Sequence, residues 1–315
     1  MNILILGASG FIGSNLCDVL KPNPDYKLIA ISRNKDQAYK ILKGNIEIIE
    51  ANPLEKGEWL KTIDSCDAII NLAGEALTHK RWTEKQKNMI YLSRIMPTKH
   101  IVEYINTTKH KPQVLINASA IGYYGKNNYL TSSPILDEYF PSQSNSFISN
   151  LVKDWELQIN QLTTKATRTV ILRFGIVLGL NGGILQTILP TFKKGLGGTL
   201  ADGSHWMSWI HIDDVISIIN NALCETKYKG TFNVVSPNPI TNAEFTNVLS
   251  KLLAKPAFIT VPKIVLKLLY GEEFTEEVAL SNIKAYPQRL IDIGYNFKFL
   301  HITDALKDII EKISK

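Results

Sequence analysis

The chain has 315 residues, 45% hydrophobic and 20% charged, and its 35 basic against 29 acidic side chains leave a formal charge of +6. At about 150 residues per domain, this describes a globular protein of one large or two modest domains with a sizeable core. The basic excess is scattered and forms no like-charge block, which argues against nucleic acid as a partner; it reads first as solvated lysines, with a small, anionic substrate as the alternative.

The chain opens on the apolar run MNILIL (1–6), read as a buried strand, and passes directly into GASGFIG (7–13). A helix is expected from about Phe11 to Leu20. Gly7, Gly10 and Gly13 thus lie between a strand and a helix, the context in which glycines at this spacing bind a dinucleotide. Gly7 permits the tight turn, Gly10 lets backbone approach a pyrophosphate, and Gly13 lets the helix pack on the sheet. The pyrophosphate would rest on the helix N-terminus, where free N–H groups favour negative charge. The cofactor loop is therefore read as Gly7, Ser9, Gly10, Phe11, Ile12 and Gly13.

KLIAIS (27–32) is the second strand. An NAD site carries Asp or Glu at its end, about 20 residues on, for the ribose 2′-hydroxyl. Here the strand ends AISRNK, with Ser32, Arg33 and no carboxylate between Asp25 and Asp36. Arg33 is a planar fork suited to a 2′-phosphate and Ser32 adds a hydroxyl, so NADP(H) is expected rather than NAD.

Further strands are IEIIE (46–50), DAIINLA (67–73), QVLINAS (113–119) and RTVILRFG (168–175). Between them, Thr83 to Ile105 has a helical period, opened by a Thr83–Gln86 capping box, with Pro97 expected to kink or split it. Continuous apolar strands alternating with helices predict an α/β doubly wound parallel sheet of the Rossmann type. The glycine-rich stretch 178–204 separates this half from a less regular one. Asp213 and Asp214 read as the N-cap and first turn of a helix over 214–224, and Thr241 with Glu244 as another capping box. The expected division is a Rossmann domain over 1–174 and 205–236, and a smaller, mainly helical substrate domain over 175–204 and 237–315.

Cys17, Cys66 and Cys224 are odd in number and far apart, which fits a reducing, cytoplasmic compartment. The histidines are dispersed, and no metal is expected. No signal peptide and no membrane span are expected, because the first apolar run is short and none reaches about 18 residues. Monomer and homodimer both remain open.

The glycine loop, INLAGE, SAIGYYG, ILRFGIVLG and SWIHIDDV together resemble the extended short-chain dehydrogenase/reductase superfamily. NLAGEALTHKRWTEKQK, SRIMPTK, VKDWE and AYPQRLIDIGYNFKF make the chain similar to an atypical subgroup, the epimerase family proteins related to nucleoside-diphosphate-sugar epimerases. The resemblance covers nearly the whole chain, including the subgroup's small C-terminal domain. It implies NADP(H), with Leu72, Ala73 and Gly74 beside the nicotinamide half and Phe174 and Gly175 closing over it. It also implies hydride transfer, in which a Tyr-x-x-x-Lys helix supplies a phenol to move the proton and a lysine to hold the nicotinamide ribose.

This chain departs from that pattern. Along FISNLVKDWE, Phe147 takes the Tyr position and Leu151 the Lys position, and Lys153 is about 200° round the helix. The usual serine falls on Ala120, with Ser119 before it. Candidate substitutes are Tyr123 and Tyr124 after the fifth strand, Ser119, and Glu75 after NLAG; each also has an ordinary reading as a packed or salt-bridged residue. Arg81 and Trp82, with Lys80, are candidates to hold an anionic substrate group. Trp206 and His211 are candidates to line the same site, and Lys193 and Lys194 lie where related enzymes grip a nucleotide. Tyr129 or Tyr139 would be the acid if the helix were misaligned. Two functions stand side by side: an NADP(H)-dependent epimerase-like oxidoreductase, and a non-catalytic NADP(H)-binding sensor or scaffold.

Overall fold

The computed structural model describes residues 1–78, 80–126 and 135–313. In chain order its elements are β1 (Asn2–Leu6), α1 (Phe11–Leu20), β2 (Lys27–Ser32), α2 (Lys35–Leu42), β3 (Glu47–Glu50), β4 (Ala68–Asn71), α3 (Glu84–Thr107) and β5 (Val114–Ala120). Then come α4 (Phe147–Asn160), β6 (Arg168–Phe174), β7 (Ile176–Leu178), α5 (Gly183–Lys193), β8 (Trp206–Met207), β9 (Trp209–His211), α6 (Ile212–Cys224) and β10 (Gly230–Val234). β11 (Ile240–Thr241), α7 (Asn242–Leu253), α8 (Lys263–Tyr270), α9 (Glu272–Phe274), α10 (Gln288–Asp292) and α11 (Ile302–Ile313) complete the chain.

Seven parallel strands form one sheet in the order β10-β6-β5-β4-β1-β2-β3. The order reverses at β1, which makes the sheet doubly wound, with its ligand crevice at the carboxyl ends of the strands. β1 shows why both faces must be covered. Ile3 and Ile5 enter the core under α1 and α6, and Leu4 and Leu6 enter the opposite core with Ile101 and Ile105 of α3. Each of these side chains is fully buried, which contributes about 1.5–3 kcal/mol apiece.

A separate apolar cluster joins α5, α7 and α11, through Leu185, Leu189, Phe192, Phe245, Leu249, Leu306 and Ile309. The full capping box at α7 is present: the Thr241 side chain accepts from Glu244 N, and the Glu244 carboxylate accepts from Thr241 N. α3 narrows one expectation. Of the two outcomes expected at Pro97, kink or split, the split does not occur: a single helix of 24 residues runs through the buried proline. α6 corrects one: its N-cap is His211, and Asp213 and Asp214 both lie in the first turn.

Candidate functional site

The turn from β1 into α1 is built on close approach. Gly7 sits at φ +77, and a Cβ there would stand 2.6 Å from the Leu72 carbonyl oxygen. A Cβ on Gly13 would lie 2.2 Å from the Gly7 oxygen, so only glycine lets α1 start against the loop. Gly10 is exposed and meets nothing but the Gly7 oxygen within 4 Å, so its open side faces the crevice. α1 has no side-chain N-cap and no acid in its first turn, which leaves its first N–H groups available to an anion. The Phe11 side chain points elsewhere. It packs against the glycines at 179, 182 and 183.

Ser32 ends β2, and its hydroxyl donates to the Asn34 carbonyl at 3.0 Å. Arg33 is exposed and, among the described residues, has no hydrogen-bond or ion-pair partner. Asn34 caps α2 by accepting from Gln37 N, so the turn carrying Arg33 is fixed from both sides. The glycine cradle, the uncapped helix and this acid-free exit with a free guanidinium fit a phosphorylated dinucleotide.

Leu72, Ala73 and Gly74 leave β4 at the same edge. Asn71, at the end of β4, donates to Thr98 Oγ1 at 2.9 Å and to Asn117 Oδ1 at 2.7 Å, and accepts from Ala73 N. Glu75 N donates to Ser93 Oγ, while its half-buried carboxylate accepts no hydrogen bond among the described residues and lies within electrostatic reach of Arg94. Arg94 of α3, absent from the candidates drawn from sequence, has its guanidinium against Gly74. A signal was present: Ile90, Arg94, Thr98 and Ile101 share one helical face, a charge on a buried stripe.

After β5 the candidates separate. The Ser119 hydroxyl donates to Glu156 Oε1 at 2.6 Å, and Arg173 donates to both Glu156 oxygens at 2.8 and 2.7 Å. The Tyr124 phenol accepts from Arg173 and faces the Asp137 carbonyl at 2.7 Å and Asn233 Oδ1 at 2.9 Å. Burial pushes that phenol up to about 12. Both Ser119 and Tyr124 are buried and saturated, so the proton roles expected for them are corrected to structural ones. Tyr123 differs. Its ring stacks under the Arg173 guanidinium at 3.5 Å, and its hydroxyl has no partner among the described residues. Arg173 and Glu156 were not singled out from sequence, although an arginine inside the apolar strand RTVILRF asks for a buried partner.

The start of α4 is closed by aromatic rings. Trp82 packs edge-on against Phe147 and Phe274, each at 5.4 Å between centroids, and its indole N–H donates to the Leu77 carbonyl at 2.9 Å. Trp82 thus packs the start of α4 while staying half-buried. Arg81 stays exposed, with Nε 3.8 Å from where a Gly271 Cβ would be. Glu277 accepts from Phe147 N at 3.2 Å and from Ile148 N at 2.8 Å, capping the helix from the C-terminal segment. Leu151 is buried, and Lys153 is spent on the Ser144 carbonyl. No phenol–lysine pair stands on α4. Tyr139 is 70% exposed, and Tyr129 lies outside the described residues.

Trp206 lies in β8 with the Lys284 ammonium over its ring at 4.1 Å, a half-buried surface able to meet a ligand. His211 is fully buried. Its Nδ1 accepts from Asp213 N at 3.0 Å, its ring lies against Phe299, and Nε2 is 3.2 Å from Asp308 Oδ2. Burial lowers it to about 4, with Asp213 and Asp308 opposing. A ligand cannot reach it, and its expected substrate role is corrected. His211, Asp213 and Asp308 also form a group able to hold a cation, but Lys298 and Lys312 already sit on the two carboxylates.

Residues 3–235 match the NAD dependent epimerase/dehydratase family, and residues 261–309 match a domain of unknown function, DUF1731. The epimerase family protein SDR39U1 homolog, chloroplastic, of Arabidopsis thaliana is 34% identical over 99% of this chain and 87% of its own length. An epimerase family protein of Staphylococcus aureus strain MRSA252 is also 34% identical, over 98% and 99% of the two chains. Among solved structures, the human epimerase family protein SDR39U1 (isoform2) with NADPH superposes at a TM-score of 0.85, with 30% identity and 99% of both chains covered. Among the described residues, no helix is long and apolar enough to cross a membrane. With most of its length matched by the family pattern and by these relatives, the chain belongs to the NAD dependent epimerase/dehydratase family.

Proposed function

We propose that the chain is an NADP(H)-binding, epimerase-like oxidoreductase acting on a small, anionic molecule. The observation that carries this is the β1–α1 glycine turn with an uncapped helix N-terminus, beside a β2 exit that holds Arg33 and no acid. The first N–H groups of α1 would hold the pyrophosphate, and Arg33 with Ser32 the 2′-phosphate. When bound, the cofactor supplies or accepts a hydride. The chain must then move a proton, and the groups free to do so are the Glu75 carboxylate and the Tyr123 phenol. Arg81 and the Trp206–Lys284 pair would meet the substrate. NADPH carried by the human relative supports the cofactor, and sugar nucleotides remain one substrate class among others. Three unpaired cysteines suit a reducing compartment such as the cytoplasm.

A second reading has its own support. Phe147 and Leu151 stand in the relay positions, and Trp82, Phe274 and Glu277 seal the helix start. A protein so built can hold the cofactor without turnover, as a sensor or scaffold. Absorbance of NADPH followed against a panel of carbonyl compounds and sugar nucleotides separates the two. Turnover that falls at least about 100-fold in Glu75→Gln or Tyr123→Phe supports the enzyme. Tight NADPH binding with no turnover on any compound supports the sensor.

A further inference from the structure

α8 turns its apolar side outward. At about 100° per residue, Ile264, Val265, Leu268 and Leu269 share one arc of the helix, and all four are exposed. Leu268 is 70% exposed and Ile264 68%. The opposite arc carries Leu266, which is buried, and Lys263 and Lys267, whose ammonium groups pair with Glu276 and Glu272. A surface helix in water does the reverse, burying its apolar stripe and showing its charges.

The inversion extends beyond the helix. Ile259 N donates to Gly197 O at 3.3 Å and Val261 N to Thr199 O at 2.8 Å, so the segment leading into α8 runs along residues 197–199. Phe258 and Leu196, at the near end of this pair, are both exposed, Phe258 at 81%. Of the sixteen large hydrophobic side chains exposed among the described residues, eight belong to α8 and these two segments. Such a concentration marks a contact surface.

Charge says what meets it. Residues 176–201 hold two lysines and residues 245–271 hold four, and neither stretch has an aspartate or glutamate. Lys193 and Lys194 lie at the end of α5, and Lys251 and Lys255 at the end of α7. All four are exposed and, among the described residues, have no ion-pair partner. The two helix ends meet beside Phe258: a Cβ on Gly195 would stand 3.4 Å from the Pro256 ring. A second copy of the chain would bring like charges together here. A protein partner is held by hydrogen bonds as well, about one per 100–200 Å² of interface. The outward arc of α8 offers no polar side chain for them. Protruding apolar side chains bordered by free lysines instead suit the edge of a bilayer, where the apolar groups enter the acyl boundary and the lysines meet anionic headgroups. We infer that α8, with Phe258 and Leu196, docks the protein peripherally on an anionic lipid surface. The contact lies on the membrane and does not cross it, and it does not depend on the cofactor reading above.

The test is co-sedimentation of the full chain with vesicles of phosphatidylcholine alone and of phosphatidylcholine with one-third phosphatidylglycerol. Wild type, Leu268→Glu, Ile264→Gln and Lys255→Glu are compared, with thermal melting of each. Wild type pellets with the anionic vesicles, stays in solution with the neutral ones, and is released by added salt. L268E binds at least about 10-fold more weakly, and K255E at least about five-fold. I264Q adds no charge and serves if L268E fails to fold; it binds at least about three-fold more weakly. Wild type that pellets with neither kind of vesicle overturns the inference, and so does wild type that binds both alike. Full-strength anionic binding in folded L268E or I264Q overturns it too, by placing the contact elsewhere. A wild-type dimer that L268E makes monomeric, with no vesicle binding, makes the face a contact between copies and overturns lipid docking.

Discussion

Tyr124 accepts from Arg173 and faces two acceptors, Asp137 O and Asn233 Oδ1, so its phenol is a junction inside the protein. Its neighbour Tyr123 shares the same short turn and lies against the same arginine, yet its hydroxyl is free. Adjacent residues in a 3-10 turn point about 120° apart, so the Tyr124 ring is buried and the Tyr123 ring stays half-buried against Arg173. Tyr124→Phe should therefore leave NADPH binding intact and lower stability by about 1–3 kcal/mol, because Arg173 and Asn233 lose a buried partner. Denaturant unfolding measures the cost, and a variant as stable as wild type would contradict the buried role. SAIGYYG could not reveal this division, because the partners that decide it lie far along the chain, Asn233 being 109 residues away.

At the level of elements, local signals were legible and long-range ones were not. β1, α1 and β2 lie where the continuous apolar runs and the glycine turn between β1 and α1 put them. The glycine turn could be read because its purpose is local: α1 must touch β1's exit, and only glycine fits. The start of α4 was opaque. Ser146 caps it locally by accepting from Ser149 N, but the N–H groups of Phe147 and Ile148 are taken by Glu277, 129 residues beyond Ile148, and nothing near in sequence announces that. Arg94 was hidden for a related reason, since it is held between Gly74, before α3, and Trp155 on α4. Glu277→Ala should cost about 0.5–2 kcal/mol, the usual range for a lost cap, and should speed amide exchange at the start of α4. Exchange there at the wild-type rate would show that the contact does not hold the helix.

Across the whole molecule, the C-terminal segment is joined to the Rossmann sheet by buried polar contacts as well as apolar ones. Asp214 of α6 accepts from Lys298 N, Phe299 N and the Tyr295 hydroxyl. His211 meets Asp308 of α11. His211 also makes this junction sensitive to acid. Its folded pKa, about 4, lies below the ordinary 6.5, so the unfolded chain binds a proton first as pH falls. Above 6.5 the residue is neutral in both states, and between 6.5 and 4 it removes stability, on the order of 3 kcal/mol in all. The difference in stability between wild type and His211→Asn should shift over that window. A constant difference from pH 7 to 4 would refute the assignment.

The most direct test of the account is calorimetric titration of wild type and Arg33→Ala with NADPH and with NADH. Wild type should prefer NADPH. R33A should lose about 10- to 100-fold in NADPH affinity, leave NADH unchanged, and so erase the preference. Wild type that binds neither dinucleotide, or R33A that keeps the preference, would contradict a phosphorylated cofactor lying across the β1–α1 turn.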